Sequence, residues 1–324
     1  MNALPSTIES ALAVLADVGV PALFAGVVAI LATVVVERLG GSLGGILSSI
    51  PTTIVPAAIG IWGRDPNPDN FRRAMAFVPV GILLNAGYLV LWRVIPARVG
   101  RHTRRHLLGW TVALALGAWL LAATAVMWLH DVFRPTVPQA LLVGGLAFTA
   151  GLALGVAANR VPHPAPRGHR RVGPVVLAVR GIAASVVIGI ALVLARMGLP
   201  VASGIAAVFP VIFTTIMVAT WLAQGAHVPT GAVGPMALGT LSVSAYALLA
   251  TLLFPRMPIA LAALACWLGA VALVSLPAFA YLRRRAARSM AVQPRAEEPP
   301  SSGPSSAPAS TPAATPAPPP TRSA

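Results

Sequence analysis

The stretch GGILSSIPTTIVPA, residues 44–57, carries two serines, two threonines and two prolines in a run without a charged side chain. Proline inside a soluble helix removes a backbone donor and clashes with the preceding turn, so core helices seldom tolerate it. A membrane helix accepts such a cluster where neighbouring protein or water satisfies the freed carbonyls. The stretch therefore points to a membrane-embedded chain and marks a polar break inside one of its helices.

The whole sequence agrees. Of 324 residues, 57% are hydrophobic and 10% charged, and the mean hydropathy is +0.81. A soluble domain carries about 25% charged residues. The net charge of +15 rests on arginine alone, because there is no lysine. These arginines lie mostly between apolar runs, as in cytoplasmic membrane loops, so no nucleic-acid partner is expected. The lone Cys266 excludes an intrachain disulfide and reads as a small buried apolar side chain. No basic residue precedes Arg38, so no signal-peptide n-region is expected, and residues 1–19 read as an interfacial segment.

About 20 apolar residues cross the hydrocarbon. Nine stretches qualify, near 20–36, 43–62, 74–95, 107–129, 138–157, 174–195, 201–222, 231–253 and 258–281. Residues 286–324 are rich in Pro, Ala, Ser and Thr, cannot build a core and are expected to be disordered. With the N-terminus outside and the C-terminus inside, 17 arginines fall on the cytoplasmic face and 6 on the outer face. That bias predicts an N-out, C-in multi-pass protein of the inner or plasma membrane.

The chain also repeats itself. VVERLGGSLGGILSSIPTTIV (35–55) aligns with VLARMGLPVASGIAAVFPVIFT (193–214), with one extra residue in the second copy. Arg38 matches Arg196, Pro51 matches Pro210, Trp62 matches Trp221, Gly81 matches Gly239 and Tyr88 matches Tyr246. Trp119 and Trp267 fall at similar depths in the fourth span of each copy. Four-span copies at 20–130 and 174–285, joined by a connector span and loop at 131–173, must run in opposite directions through the membrane. This is the inverted-repeat plan of many transporters. The expected fold is therefore all-α: nine transmembrane helices as two inverted four-helix repeats.

VASGIAAVFPVIF followed by MPIALAALACWLGAVAL resembles the second and fourth spans of the GlpM-like (YdgC-type) small inner-membrane proteins. Residues 174–281 carry the resemblance best. The first copy shares the glycine and proline spacing but has Pro-Thr-Thr where the second has Pro-Val-Ile. The resemblance implies two small dual-topology subunits fused in opposite orientations. It also implies an association with exopolysaccharide production, and so cell-envelope assembly proteins as partners.

In such a fold the two polar breaks meet near the pseudo-two-fold axis, where transporters build sites from broken helices. The expected pathway comprises Ser48, Ser49, Pro51, Thr52, Thr53, Asn85, Tyr88, Pro210, Thr214, Thr215 and Tyr246. The bland alternative is that the hydroxyls bond their own preceding-turn carbonyls. Asn85 serves equally as helix–helix glue or as a solute contact. Arg38 and Arg196 end the spans before the breaks and read either as gates for a polar or anionic small solute or as headgroup anchors.

Enzyme chemistry is not expected. All eight acids (Glu9, Asp17, Glu37, Asp65, Asp69, Asp131, Glu297 and Glu298) lie at span ends, in loops or in tails. No Cys/His/Asp/Glu spacing suits a metal, and no cofactor motif is present. The sequence thus reads first as a small-molecule transporter or exporter in the lipid bilayer. Its second reading is a non-transporting scaffold for cell-envelope polysaccharide assembly.

Overall fold

The computed structural model describes residues 18–31, 34, 51–63, 67–99, 106–160 and 173–292. Arg38, Ser48, Ser49, the loop at 161–172 and the tail from residue 293 lie outside the described residues. Every element in the described part is helical: α1 (Val18–Leu31), α2 (Ile54–Trp62), α3 (Pro68–Val99), α4 (Leu107–Phe133), α5 (Val137–Ala158) and α6 (Pro174–Arg196). They continue with α7 (Pro200–Ala206), α8 (Val211–Gln224), α9 (His227–Gly239), α10 (Leu241–Leu253), α11 (Ile259–Ala270) and α12 (Leu276–Val292). A π-helical turn, Val271–Ser275, joins α11 to α12. The described residues through Arg284 form one compact unit.

Seven helical segments among the described residues are long and apolar enough to cross a bilayer: Pro68–Val99, Leu107–Phe133, Val137–Ala158, Pro174–Arg196, Pro200–Leu222, Pro229–Leu253 and Ile259–Arg285. They match the third to ninth expected spans. The described parts of the first two are α1, a shorter apolar helix, and α2.

Local sequence sets several boundaries. Thr136 opens α5 with a capping box, and Gln139 Oε1 accepts the Thr136 backbone N–H at 2.9 Å. Pro138 sits in the first turn of α5, where its missing N–H costs nothing. Gly198 turns the chain between α6 and α7 with φ of 74°, a conformation that favours glycine. The α3 helix, by contrast, runs unbroken through Pro79 and Pro96. Proline alone therefore does not decide where a span breaks.

Two segments sit at the centre. The α3 helix and the α9–α10 pair are mostly buried, whereas α4, α5, α6 and α11 present rows of exposed apolar side chains. Trp110, Leu121 and Trp128 on α4, Leu142 and Leu146 on α5, Ile182 on α6 and Leu264 on α11 all point outward. A girdle of this extent is not stable in water. In lipid it is the expected outer surface, because the backbone polar groups are satisfied within the helices. The chain is an all-helical, polytopic membrane protein.

The central helices run antiparallel. Phe71 near the start of α3 stacks on Phe254 just past α10 at 5.0 Å, and Arg93 near the end of α3 bonds the Thr230 carbonyl in α9. Small residues allow close approach. Gly144 of α5 lies against the Ala76 carbonyl of α3 and Leu248 of α10, and Gly204 of α7 lies against the Ala74 carbonyl. At the periphery α1 crosses α6 antiparallel, with Gly26 against Gly181 and Ser185, and Gly189 against Ala22 and Val18.

Candidate functional site

The span Pro200–Leu222 is broken between α7 and α8, at Ala207–Pro210. Pro210 has no N–H to return to Ala206, and the Phe209 N–H takes the Ala206 carbonyl instead at 3.0 Å. The chain tightens, leaves the helix and restarts after Pro210, with the Thr214 N–H on the Pro210 carbonyl at 2.9 Å. The break expected at this proline is present.

Asn85, fully buried on α3, answers the break. Its Nδ2 donates to the Val208 carbonyl at 2.7 Å, and its Oδ1 accepts the Trp119 indole N–H at 2.8 Å. One neighbour only accepts and the other only donates, which settles the amide orientation. The Trp119 ring also packs edge-on against Phe209, with centroids 5.0 Å apart. One turn along α3, the Tyr88 hydroxyl lies 2.8 Å from Thr214 Oγ1. Thr214 donates to the Pro210 carbonyl at 2.7 Å, so the Tyr88 hydroxyl is the donor to Thr214. Two hydrogen-bonded sets thus flank the break: Trp119, Asn85 and the Val208 carbonyl in one, and Tyr88, Thr214 and the Pro210 carbonyl in the other.

The remaining expected residues fall elsewhere. Thr215 donates to the Ile212 carbonyl within its own helix at 2.9 Å, the bland alternative for that hydroxyl. Pro51 is buried, while Thr52 and Thr53 are half-buried in a non-helical segment that leads into α2. Thr53 caps α2 without a side-chain bond to it. Tyr246 on α10 is fully buried, and its hydroxyl has no hydrogen-bond partner. Arg196 lies in the last turn of α6. Arg38, Ser48 and Ser49 lie outside the described residues.

Two contributors escape the sequence reading of the site. Trp119 stands out in sequence only for its depth, yet it holds Asn85. Arg93 reads in sequence only as a loop cation, yet its Nε donates to the Thr230 carbonyl at 2.8 Å and its Nη1 to the Ala158 carbonyl at 2.7 Å. It ties α3, α5 and α9 together at one membrane face. A signal for Arg93 exists in sequence: an arginine inside the end of the expected span 74–95 must find acceptors or snorkel.

Among the described residues no group of three or more His, Cys, Asp or Glu side chains is placed to hold a metal ion. No family model matches the chain, and no curated protein or solved structure is significantly similar to it.

Proposed function

We propose that the chain is a nine-span transporter of a small polar or anionic solute, built as two inverted four-span repeats with its pathway at their interface. The observation that carries this reading is a shared spacing. In sequence, Gly81 and Gly239, and likewise Tyr88 and Tyr246, are 158 residues apart. An inverted repeat requires equivalent helices to cross antiparallel at equivalent residues. Gly26 meets Gly181 and Ser185, whose midpoint lies 157 residues further on. The contacts Phe71–Phe254 and Arg93–Thr230 bracket a level at which residue 82 lies opposite residue 242, which are 160 apart. Both crossings fall within two residues of the sequence offset.

A broken span beside the central helices supports a site at that interface, because interrupted helices expose backbone polar groups in mid-membrane. In this reading Thr52 and Thr53 line the pathway, and Arg38 and Arg196 attract the solute from opposite faces. The GlpM-like resemblance supplies the architecture, two small subunits fused in opposite orientations. The alternative, an accessory scaffold for envelope polysaccharide assembly, draws on the pairing of both ends of the Asn85 amide within the protein, which leaves that side chain no free group for a solute.

Stopped-flow light scattering on proteoliposomes tests the choice, with glycerol, erythritol and small organic anions as permeants. The transporter reading expects swelling above that of empty liposomes for at least one of them. Thr52→Val removes a hydroxyl and keeps shape, so it should slow that flux while the protein remains folded. Arg38→Ala and Arg196→Ala should slow it from opposite sides. Swelling equal to empty liposomes for every permeant would leave the scaffold reading.

A further inference from the structure

One face of α12 changes chemistry along its length. Leu276, Ala280, Arg283 and Arg284 are exposed, whereas Ala278 is buried and Tyr281 and Leu282 pack on the core. Steps of four and three residues put Leu276, Ala280 and Arg283 on one side of the helix, with Arg284 bordering them. This side begins apolar and ends cationic. The sequence here is LRRRAAR (282–288), so Arg288 follows Arg284 four residues later in the same helix.

The depth of the change follows from helix rise. The last span, Ile259–Arg285, is a single membrane-crossing segment. From Ile259 to Arg283 is about 36 Å of helix, a little more than the roughly 30 Å of hydrocarbon. Leu276 therefore faces acyl chains, and Arg283 and Arg284 stand at headgroup level just beyond them. No acidic residue occurs between Asp131 and Glu297. The acids among the described residues, Asp69 and Asp131, lie at the other membrane face. Asp69 is two residues before Phe71, which stacks on Phe254 ahead of this span, and it pairs with Arg72. Asp131 pairs with His130, whose ring packs on Phe77 near the start of α3.

We propose that Arg283 and Arg284 form a headgroup site for an anionic phospholipid. The inference needs only a membrane-spanning chain and stands whether or not the protein transports a solute. Guanidinium groups match phosphate oxygens in charge and geometry. A zwitterionic headgroup would bring its own ammonium up to two adjacent cations that have no acid nearby, and an anionic one does not. The occupant is a lipid and not soluble phosphate because the same face offers Leu276 and Ala280 to its acyl chains.

Native mass spectrometry of the full chain in detergent tests this, by comparing adducts of phosphatidylglycerol with those of phosphatidylcholine carrying the same acyl chains. Phosphatidylglycerol should bind more tightly. Arg283→Gln with Arg284→Gln should cut its affinity about 25-fold, at about fivefold for each arginine close to an anionic surface, and leave phosphatidylcholine binding as it was. Arg283→Lys with Arg284→Lys keeps the charge and should keep the preference. Arg134→Gln with Arg256→Gln, at exposed positions on the other face, should leave it unchanged. Equal binding of the two lipids by wild type overturns the site. So does an equal loss in the Arg134 and Arg256 pair, because any surface arginine would then serve. Loss of the preference in the lysine pair would trace the effect to altered helix packing and also overturn it. Displacement of phosphatidylglycerol by inorganic phosphate at constant ionic strength would make this a site for soluble phosphate and overturn the lipid assignment.

Discussion

Asn85 shows how one polar side chain organises a break in an apolar bundle. Its amide satisfies a carbonyl freed by the break at Ala207–Pro210 and takes a proton from Trp119, so every buried polar atom in the exchange is paired. Trp119→Phe keeps most of the ring and removes only the indole N–H. The Asn85 oxygen is then buried without a donor, and the loss should be about 1–3 kcal/mol in thermal unfolding. Asn85→Ala alone frees both the Val208 carbonyl and the Trp119 N–H. The double variant should be less destabilised than the sum of the two, by about 1 kcal/mol, the mark of groups acting together. Strict additivity would mean that the indole and the amide do not interact.

Helix packing here depends on glycines at specific depths. A Cβ at Gly144 would overlap the Ala76 backbone carbonyl, and one at Gly204 the Ala74 carbonyl. Neither carbonyl can swing away without disturbing α3. Gly144→Val and Gly204→Val should therefore each cost about 1–3 kcal/mol, read by thermal unfolding in detergent. Gly145 is adjacent to Gly144, but a Cβ there meets only open space. Gly145→Ala should be neutral, or stabilising by up to about 1 kcal/mol through helix propensity. Equal losses at 144 and 145 would show that α5 does not pack as described. Arg93 acts at the same scale, as a clamp on two carbonyls from two other helices. Arg93→Met keeps the stem and leaves both carbonyls unpaired, so it should destabilise by about 1–3 kcal/mol. Arg93→Lys should recover only part of this, because one ammonium does not reproduce the guanidinium fork.

At the scale of the whole molecule, the exposed apolar girdle and the seven long helices place the chain in a bilayer. The orientation expected from the sequence rests on the arginines: in a nine-span arrangement 17 would fall on the face of the C-terminus and 6 on the other. Single cysteines at residue 166 and after residue 290, in a Cys266→Ala background, should both resist impermeant thiol reagents from outside intact cells. They should both label after permeabilisation. Outside labelling at either site would break the nine-span count, and with it the inversion of the repeats, because an odd number of crossings must separate the copies.

The membrane class, the span positions from the third onward and the break at Pro210 were legible in the sequence. They follow from local properties: runs of apolar residues long enough for the hydrocarbon, and a proline with no N–H. The matched glycines, prolines, tyrosines and tryptophans on which the repeat is proposed are likewise a sequence observation, since matching needs no knowledge of contacts. Partners were not legible. Asn85 and Val208 are 123 residues apart, and Tyr88 and Thr214 are 126 apart. Tyr88 and Tyr246, which align in sequence, look alike there, yet one hydroxyl is paired and the other is not. Only the tertiary structure decides that, because a hydroxyl's partner is whatever a neighbouring helix brings to its level: a threonine beside Tyr88, and no protein partner beside Tyr246.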